Sequence, residues 1–182
     1  MLSLPNILSI ARILSVPLIV WLILERAYQP AFWLFVAAGL SDAADGFIAK
    51  HFDARTEIGA YLDPLADKAL LVGIYVTLGV SGCIETWLVI LVVFRDILII
   101  GGALLYQTLN HDLTMRPLMV SKVNTVAQIT LAALVLGLKG FGLDDGLALA
   151  VLVPLVAATT LVSGTAYVYT WTRRAMMMER GE

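Results

Sequence analysis

Six long apolar runs limit the fold of this chain more sharply than any other feature. They cover roughly residues 7–24, 31–52, 59–80, 84–106, 119–138 and 147–171. A helix that crosses a bilayer needs about 20 residues, so each run is long enough for one crossing. Barrel strands are only about ten residues long and alternate apolar with polar positions, a pattern missing here. The links between the runs are short, and in 182 residues they leave no room for a separate soluble domain. The expected architecture is therefore all-α, a polytopic membrane protein with six transmembrane helices in a single domain over 1–182. Composition agrees: 60% of residues are hydrophobic and 14% charged, against roughly 45–50% and 25% in soluble domains. Mean hydropathy is +0.89. A net charge of −2 supplies no basic field for nucleic acid, so the expected surroundings are membrane lipids. The lone Cys83 cannot form an intrachain disulfide.

Basic residues orient the spans. With the N-terminus inside, Arg12, Lys50, Arg55, Lys68, Arg116, Lys122, Arg173, Arg174 and Arg180 fall at or near the inner side. Only Arg26 and Lys139 then face outward, while Arg95 sits mid-span. Both termini are expected to be cytoplasmic. The first run has no basic segment before it and no small-residue cleavage site after it, so it reads as a retained span. With no transit peptide evident, the expected location is a bacterial inner (plasma) membrane.

Polar residues concentrate in two stretches, 41–68 and 95–122. In the first, Asp42 and Asp45 end the second run, and Asp63 and Asp67 begin the third. Spacings of i,i+3 and i,i+4 put each pair on one helical face. A short loop joins the two helices, so an antiparallel hairpin would bring four carboxylates together near the cytoplasmic boundary. Carboxylates inside a membrane are costly, and mutual repulsion adds to the cost. Lys50, Arg55 and Lys68 would neutralise part of the charge, and a divalent cation would do so more completely. Oxygen-only ligands suit Mg²⁺, Mn²⁺ or Ca²⁺ better than zinc, and two metals bridged by carboxylates fit phosphoryl transfer. Gly46, Ala49 and Gly59 lie in register with the acidic faces, leaving room for a ligand to approach the backbone. Close helix–helix packing is the other explanation for such small residues.

These residues resemble the signature of the CDP-alcohol phosphatidyltransferases, D-x2-D-G-x2-A-R-x8-G-x3-D-x3-D. The match runs from Asp42 through Asp45, Gly46, Ala49, Gly59 and Asp63 to Asp67. Lys50 stands where the family usually has Arg, keeping the charge but losing the planar fork. The resemblance extends to Leu4-Pro5-Asn6-Ile7-Leu8-Ser9-Ile10-Ala11-Arg12 and to Leu62-Asp63-Pro64-Leu65-Ala66-Asp67-Lys68. Arg95-Asp96-Ile97-Leu98-Ile99 and Ser121-Lys122-Val123-Asn124-Thr125 are closer to cardiolipin synthases of the mitochondrial type than to phosphatidylglycerophosphate synthases.

The resemblance implies transfer of a phosphatidyl group from CDP-diacylglycerol to an alcohol, with release of CMP. It implies Asp42, Asp45, Asp63 and Asp67 as ligands of Mg²⁺ or Mn²⁺, two ions being expected. Asp67 is also the expected general base on the acceptor hydroxyl. Gly46, Ala49, Lys50, Arg55 and Gly59 would line the nucleotide site. Arg95, Arg116 and Lys122 are the candidates to bind the acceptor, phosphatidylglycerol or alternatively glycerol-3-phosphate, although Arg116 also reads as a positive-inside anchor. A homodimer is expected by the same resemblance. A small proton- or cation-coupled transporter is the competing class. Against it, the aspartates cluster at one membrane side and no inverted repeat is apparent.

Overall fold

The computed structural model describes the backbone of residues 4–52, 57–109, 119–144 and 146–179, and the side chains of 10–41, 67–102, 119–144, 146–173 and 176. Each apolar run forms one helix: α1 (Leu4–Leu24), α2 (Tyr28–Phe52), α3 (Glu57–Val80), α4 (Thr86–Leu109), α5 (Met119–Phe141) and α6 (Gly146–Glu179). The protein is all-α. Among the described residues, Met119–Phe141 and Gly146–Arg173 are long and apolar enough to cross a membrane. The helices overrun the apolar runs by a few residues at several ends. The overrun is largest in α6, which carries on past Trp171 through Arg173, Arg174 and three methionines. Arg and Met are strong helix formers, so the helix outlasts the apolar stretch.

The described residues divide into two compact units. The first comprises Met1–Thr86 with Ala132–Gly146, and the second Trp87–Leu131 with Leu147–Glu182. In the first unit α1 packs against both α2 and α3. Ile19 and Ile23 of α1 and Ile74, Tyr75 and Leu78 of α3 are wholly buried. The second half of α5 lies close against the start of α2. A Cβ on Gly140 would stand 2.8 Å from the backbone of Gln29, so only glycine fits there. Phe32 meets Trp33 and Phe141 edge-to-face beside this contact, with centroids 5.2 and 5.8 Å apart.

Three helices end alike. The chain turns left-handed at Arg26 (φ 58°), Gly82 (φ 70°) and Gly142 (φ 64°). The next amide then donates back five residues: Ala27 to Leu22, Cys83 to Leu78 and Leu143 to Leu138. This is the Schellman closure, which satisfies carbonyls left open at a helix end. Just after the α3 closure, Cys83 Sγ lies 3.4 Å from the Tyr28 hydroxyl. The hydrogen bond with Cys83, then burial, raises the Tyr28 pKa above its usual value.

In the second unit, Leu88 and Val92 of α4, Leu131 of α5 and Val156 of α6 form an apolar core. A polar seam runs beside it. On α5 it includes Asn124 and Gln128, both fully buried, and on α4 and α6 it includes Arg95, Asp96, Thr160 and Ser163.

Candidate active site

Two helices of the first unit carry the aspartate signature. Asp42 and Asp45 fall in the last turns of α2, Asp63 and Asp67 in the first turns of α3. The backbone is continuous helix through both pairs. The side chains of Asp42, Asp45, Gly46, Ala49, Lys50, Gly59 and Asp63 lie outside the described residues, and so do Arg55 and Arg116 entirely. Asp67 is the member of the acidic set whose side chain is described.

Asp67 meets α1. Arg12 Nη1 donates to Asp67 Oδ1 at 2.9 Å. The two partners differ in surroundings: the arginine side chain is 1% exposed and the aspartate 43%. Arginine cannot shed its proton in a protein, so a buried guanidinium has to find compensating charge. α1 contains no acidic residue. The charge therefore comes from another helix, and α3 supplies it. Next to Arg12, Ser15 Oγ donates to the Arg12 carbonyl at 2.7 Å. A cleft of about 160 Å³ between α1 and α2 is lined by Ala11, Arg12, Ser15, Ala37, Ala38 and Ser41, together with Leu34. Ser41 immediately precedes Asp42. In the sequence Arg12 reads as an inner-side cation and as the end of the Leu4–Arg12 resemblance, and neither points to its partner. A lone cation inside an apolar helix with no acid of its own was the available signal.

The chemistry of the donor set fits a hard divalent cation. Four carboxylates, paired at i,i+3 and i,i+4 on two continuous helices, supply oxygen ligands alone. The Asp67 side chain is 43% exposed, so a cation can reach its carboxylate.

The second unit holds two of the candidate acceptor residues. Lys122 is exposed in the first turn of α5. Arg95 is buried, 3% exposed. Its Nη1 donates to Asp96 at 2.6 Å, its Nη2 to Ser121 at 2.6 Å and its Nε to Ser163 at 3.2 Å. The guanidinium thus ties α4 to α5 and α6. Asn124 Oδ1 lies 2.9 Å from both Thr159 Oγ1 and Thr160 Oγ1. Between α4 and α6 an apolar groove of about 520 Å³ runs past Arg95 and Thr160, walled by Phe94, Leu98, Leu161 and Val168.

The spacing of the aspartates on α2 and α3 is that of the family signature. Comparison with known proteins agrees. Residues 2–165 match the CDP-alcohol phosphatidyltransferase family, an integral membrane family, and the chain belongs to it. It is 37% identical to the chloroplastic CDP-diacylglycerol–glycerol-3-phosphate 3-phosphatidyltransferase 1 of Oryza sativa subsp. japonica, over 91% of this chain and 56% of that protein. It is 33% identical to the CMP-forming cardiolipin synthase of Rattus norvegicus, over 99% of this chain and 65% of the relative. The corresponding human protein is 34% identical over 91% of this chain and 60% of its own length. The chain thus spans between 56% and 65% of the length of these relatives.

Proposed function

We propose that this protein transfers a phosphatidyl group from CDP-diacylglycerol to phosphatidylglycerol, forming cardiolipin and CMP. The observation that carries the reading is the Asp67 carboxylate. It completes the family signature, remains open, and is fixed by an arginine from α1. In the reaction, the acceptor hydroxyl oxygen bonds to the phosphorus that bears the diacylglycerol, and the phosphoanhydride bond to CMP breaks. Asp67 takes the hydroxyl proton, because an alcohol is a poor nucleophile at neutral pH. Asp42, Asp45, Asp63 and Asp67 would hold Mg²⁺ or Mn²⁺, two ions in our reading. When bound, the metal supplies Lewis-acid polarisation of phosphorus and neutralises charge on the leaving CMP. Gly46, Ala49 and Gly59 would leave room for the nucleotide, and Lys50 and Arg55 would meet its phosphates.

Phosphatidylglycerol is the favoured acceptor for two reasons. The two stretches closer to cardiolipin synthases, Arg95–Ile99 and Ser121–Thr125, contribute Asp96 and Asn124 to the buried seam of the unit that carries Lys122. That unit also has an apolar groove suited to a lipid more than to a soluble dianion. Within it, Lys122 and Arg116 would meet the acceptor phosphate, and Arg95 would shape the site while bound to Asp96. Glycerol-3-phosphate is the second reading, favoured by the 37% identity to the plant enzyme of that name.

The proposal includes six crossings, both termini cytoplasmic, and a homodimer acting over the whole of 1–182. Exposed Trp21, Trp33 and Trp87 support the crossings. They fall at the end of α1 and the starts of α2 and α4, helix ends that alternate crossings bring to one interface, where tryptophan concentrates. The family match spans residues of both units, which supports one catalytic domain. The test is to give the purified protein CDP-diacylglycerol with either acceptor and identify the lipid by mass spectrometry. Cardiolipin is expected; phosphatidylglycerophosphate alone would replace the first reading with the second.

A further inference from the structure

We infer that Arg12 is a positioning residue for metal binding: from α1 it sets the orientation of the Asp67 carboxylate, and the affinity of the acidic site for a divalent cation depends on it. The inference rests on the proposed function only in taking Asp67 as a ligand.

The anchoring is one-sided. The guanidinium side chain is 1% exposed, while the carboxylate it holds is 43% exposed. A side chain sealed on all sides has few alternative positions, so its Nη1 offers Asp67 a fixed donor at 2.9 Å. The helix that carries it is fixed as well. Ile19 and Ile23 are wholly buried, and a Cβ on Gly73 of α3 would stand 3.2 Å from Val16, so α1 and α3 meet closely one turn beyond Arg12. The Ser15 hydroxyl holds the Arg12 carbonyl. The same arginine lines the α1–α2 cleft together with Ser41, the residue before Asp42. One side chain therefore borders both acidic helices, and α1, which bears no carboxylate, acts on the site through it. Hydrogen-bond partners of metal-ligating carboxylates orient them, and their loss weakens metal affinity by about 10–100-fold.

The test is Mn²⁺ titration of the purified protein in detergent, read by electron paramagnetic resonance, without CDP-diacylglycerol or acceptor. Arg12→Met keeps the apolar bulk and removes the donor, and Arg12→Gln is polar but too short to span the gap. Both are expected to bind Mn²⁺ about 10–100-fold more weakly than wild type, and Arg12→Lys to recover part of the loss. In an Asp67→Ala background, which leaves no side-chain oxygen at that position to orient, Arg12→Met should have a much smaller effect than in the wild type. Wild-type Mn²⁺ affinity in whichever of the two neutral variants folds would overturn the inference, and so would an Arg12→Met effect that persists in full without Asp67. A purely structural tie lowers the melting temperature and leaves the affinity of the folded protein unchanged. Because no substrate is present, failure here leaves the transfer reaction to its own product assay.

Discussion

Each unit contains one described arginine–aspartate pair, and the two are built for different ends. Arg95 and Asp96 are neighbours on α4, both almost fully sealed at 3% and 1% exposure. The guanidinium spends its other donors on Ser121 and Ser163. Arg12 and Asp67 stand 55 residues apart on different helices, with only the arginine sealed. The sealed pair lies on one helix while its guanidinium ties in α5 and α6 through the two serines, and breaking the pair strands a charge. A pair open on its carboxylate side keeps an acid available for chemistry while its partner fixes where that acid points. The difference lies in the surroundings, since the residue types and the contact are the same.

Substituting the open acid gives the largest effect expected from this contrast. Asp67→Asn should lower turnover by about 10²–10⁴-fold, the range of a positioned general base. The amide can still accept from Arg12, so the purified variant should keep its helical circular dichroism. Asp96→Ala should do the opposite. It strands the buried guanidinium and should cost about 3–5 kcal/mol of stability, seen as a large fall in the thermal midpoint in detergent. Replacing both partners, Arg95→Met with Asp96→Leu, should recover most of that stability. A double variant no more stable than Asp96→Ala alone would mean that the seam cannot be read as a simple ion pair. Ser163→Ala removes an acceptor from a charged donor and should cost about 1.5–3 kcal/mol by the same measurement. Asn124→Leu takes the acceptor from the buried Thr160 hydroxyl and should cost about 1–3 kcal/mol. Thr159 Oγ1 can donate instead to the Leu155 carbonyl at 3.0 Å, so its hydroxyl is not stranded.

The same contrast separates what could be read from the residues from what could not. The six helices follow from runs of apolar residues, a local property, and their expected limits lie within a few residues of those of α1 to α6. The larger departure is the continuation of α6 to Glu179, where helix propensity outlasts hydropathy. The acidic signature is local too, because its spacing is a property of two short stretches. Partnerships across helices leave no such trace. Asp96 is next to Arg95 in the chain, so that pairing is local. Asp67 was as evident a carboxylate, yet nothing near Arg12 in sequence points to it. Asn124 meets threonines 35 and 36 residues away, and its burial follows from the packing of α5 and α6. Arg95 was expected as an acceptor contact, and its guanidinium is found bonded to Asp96, Ser121 and Ser163 inside the second unit.

The central claim is that aspartates on α2 and α3 use a divalent cation to move a nucleotide-activated lipid. CMP released from CDP-diacylglycerol by the purified protein, with phosphatidylglycerol present, measures it most directly. Release should depend on Mg²⁺ or Mn²⁺, stop on chelation, resume when metal is restored, and be lost in Asp67→Asn. Release that persists through chelation, or wild-type release by Asp67→Asn, would contradict the claim.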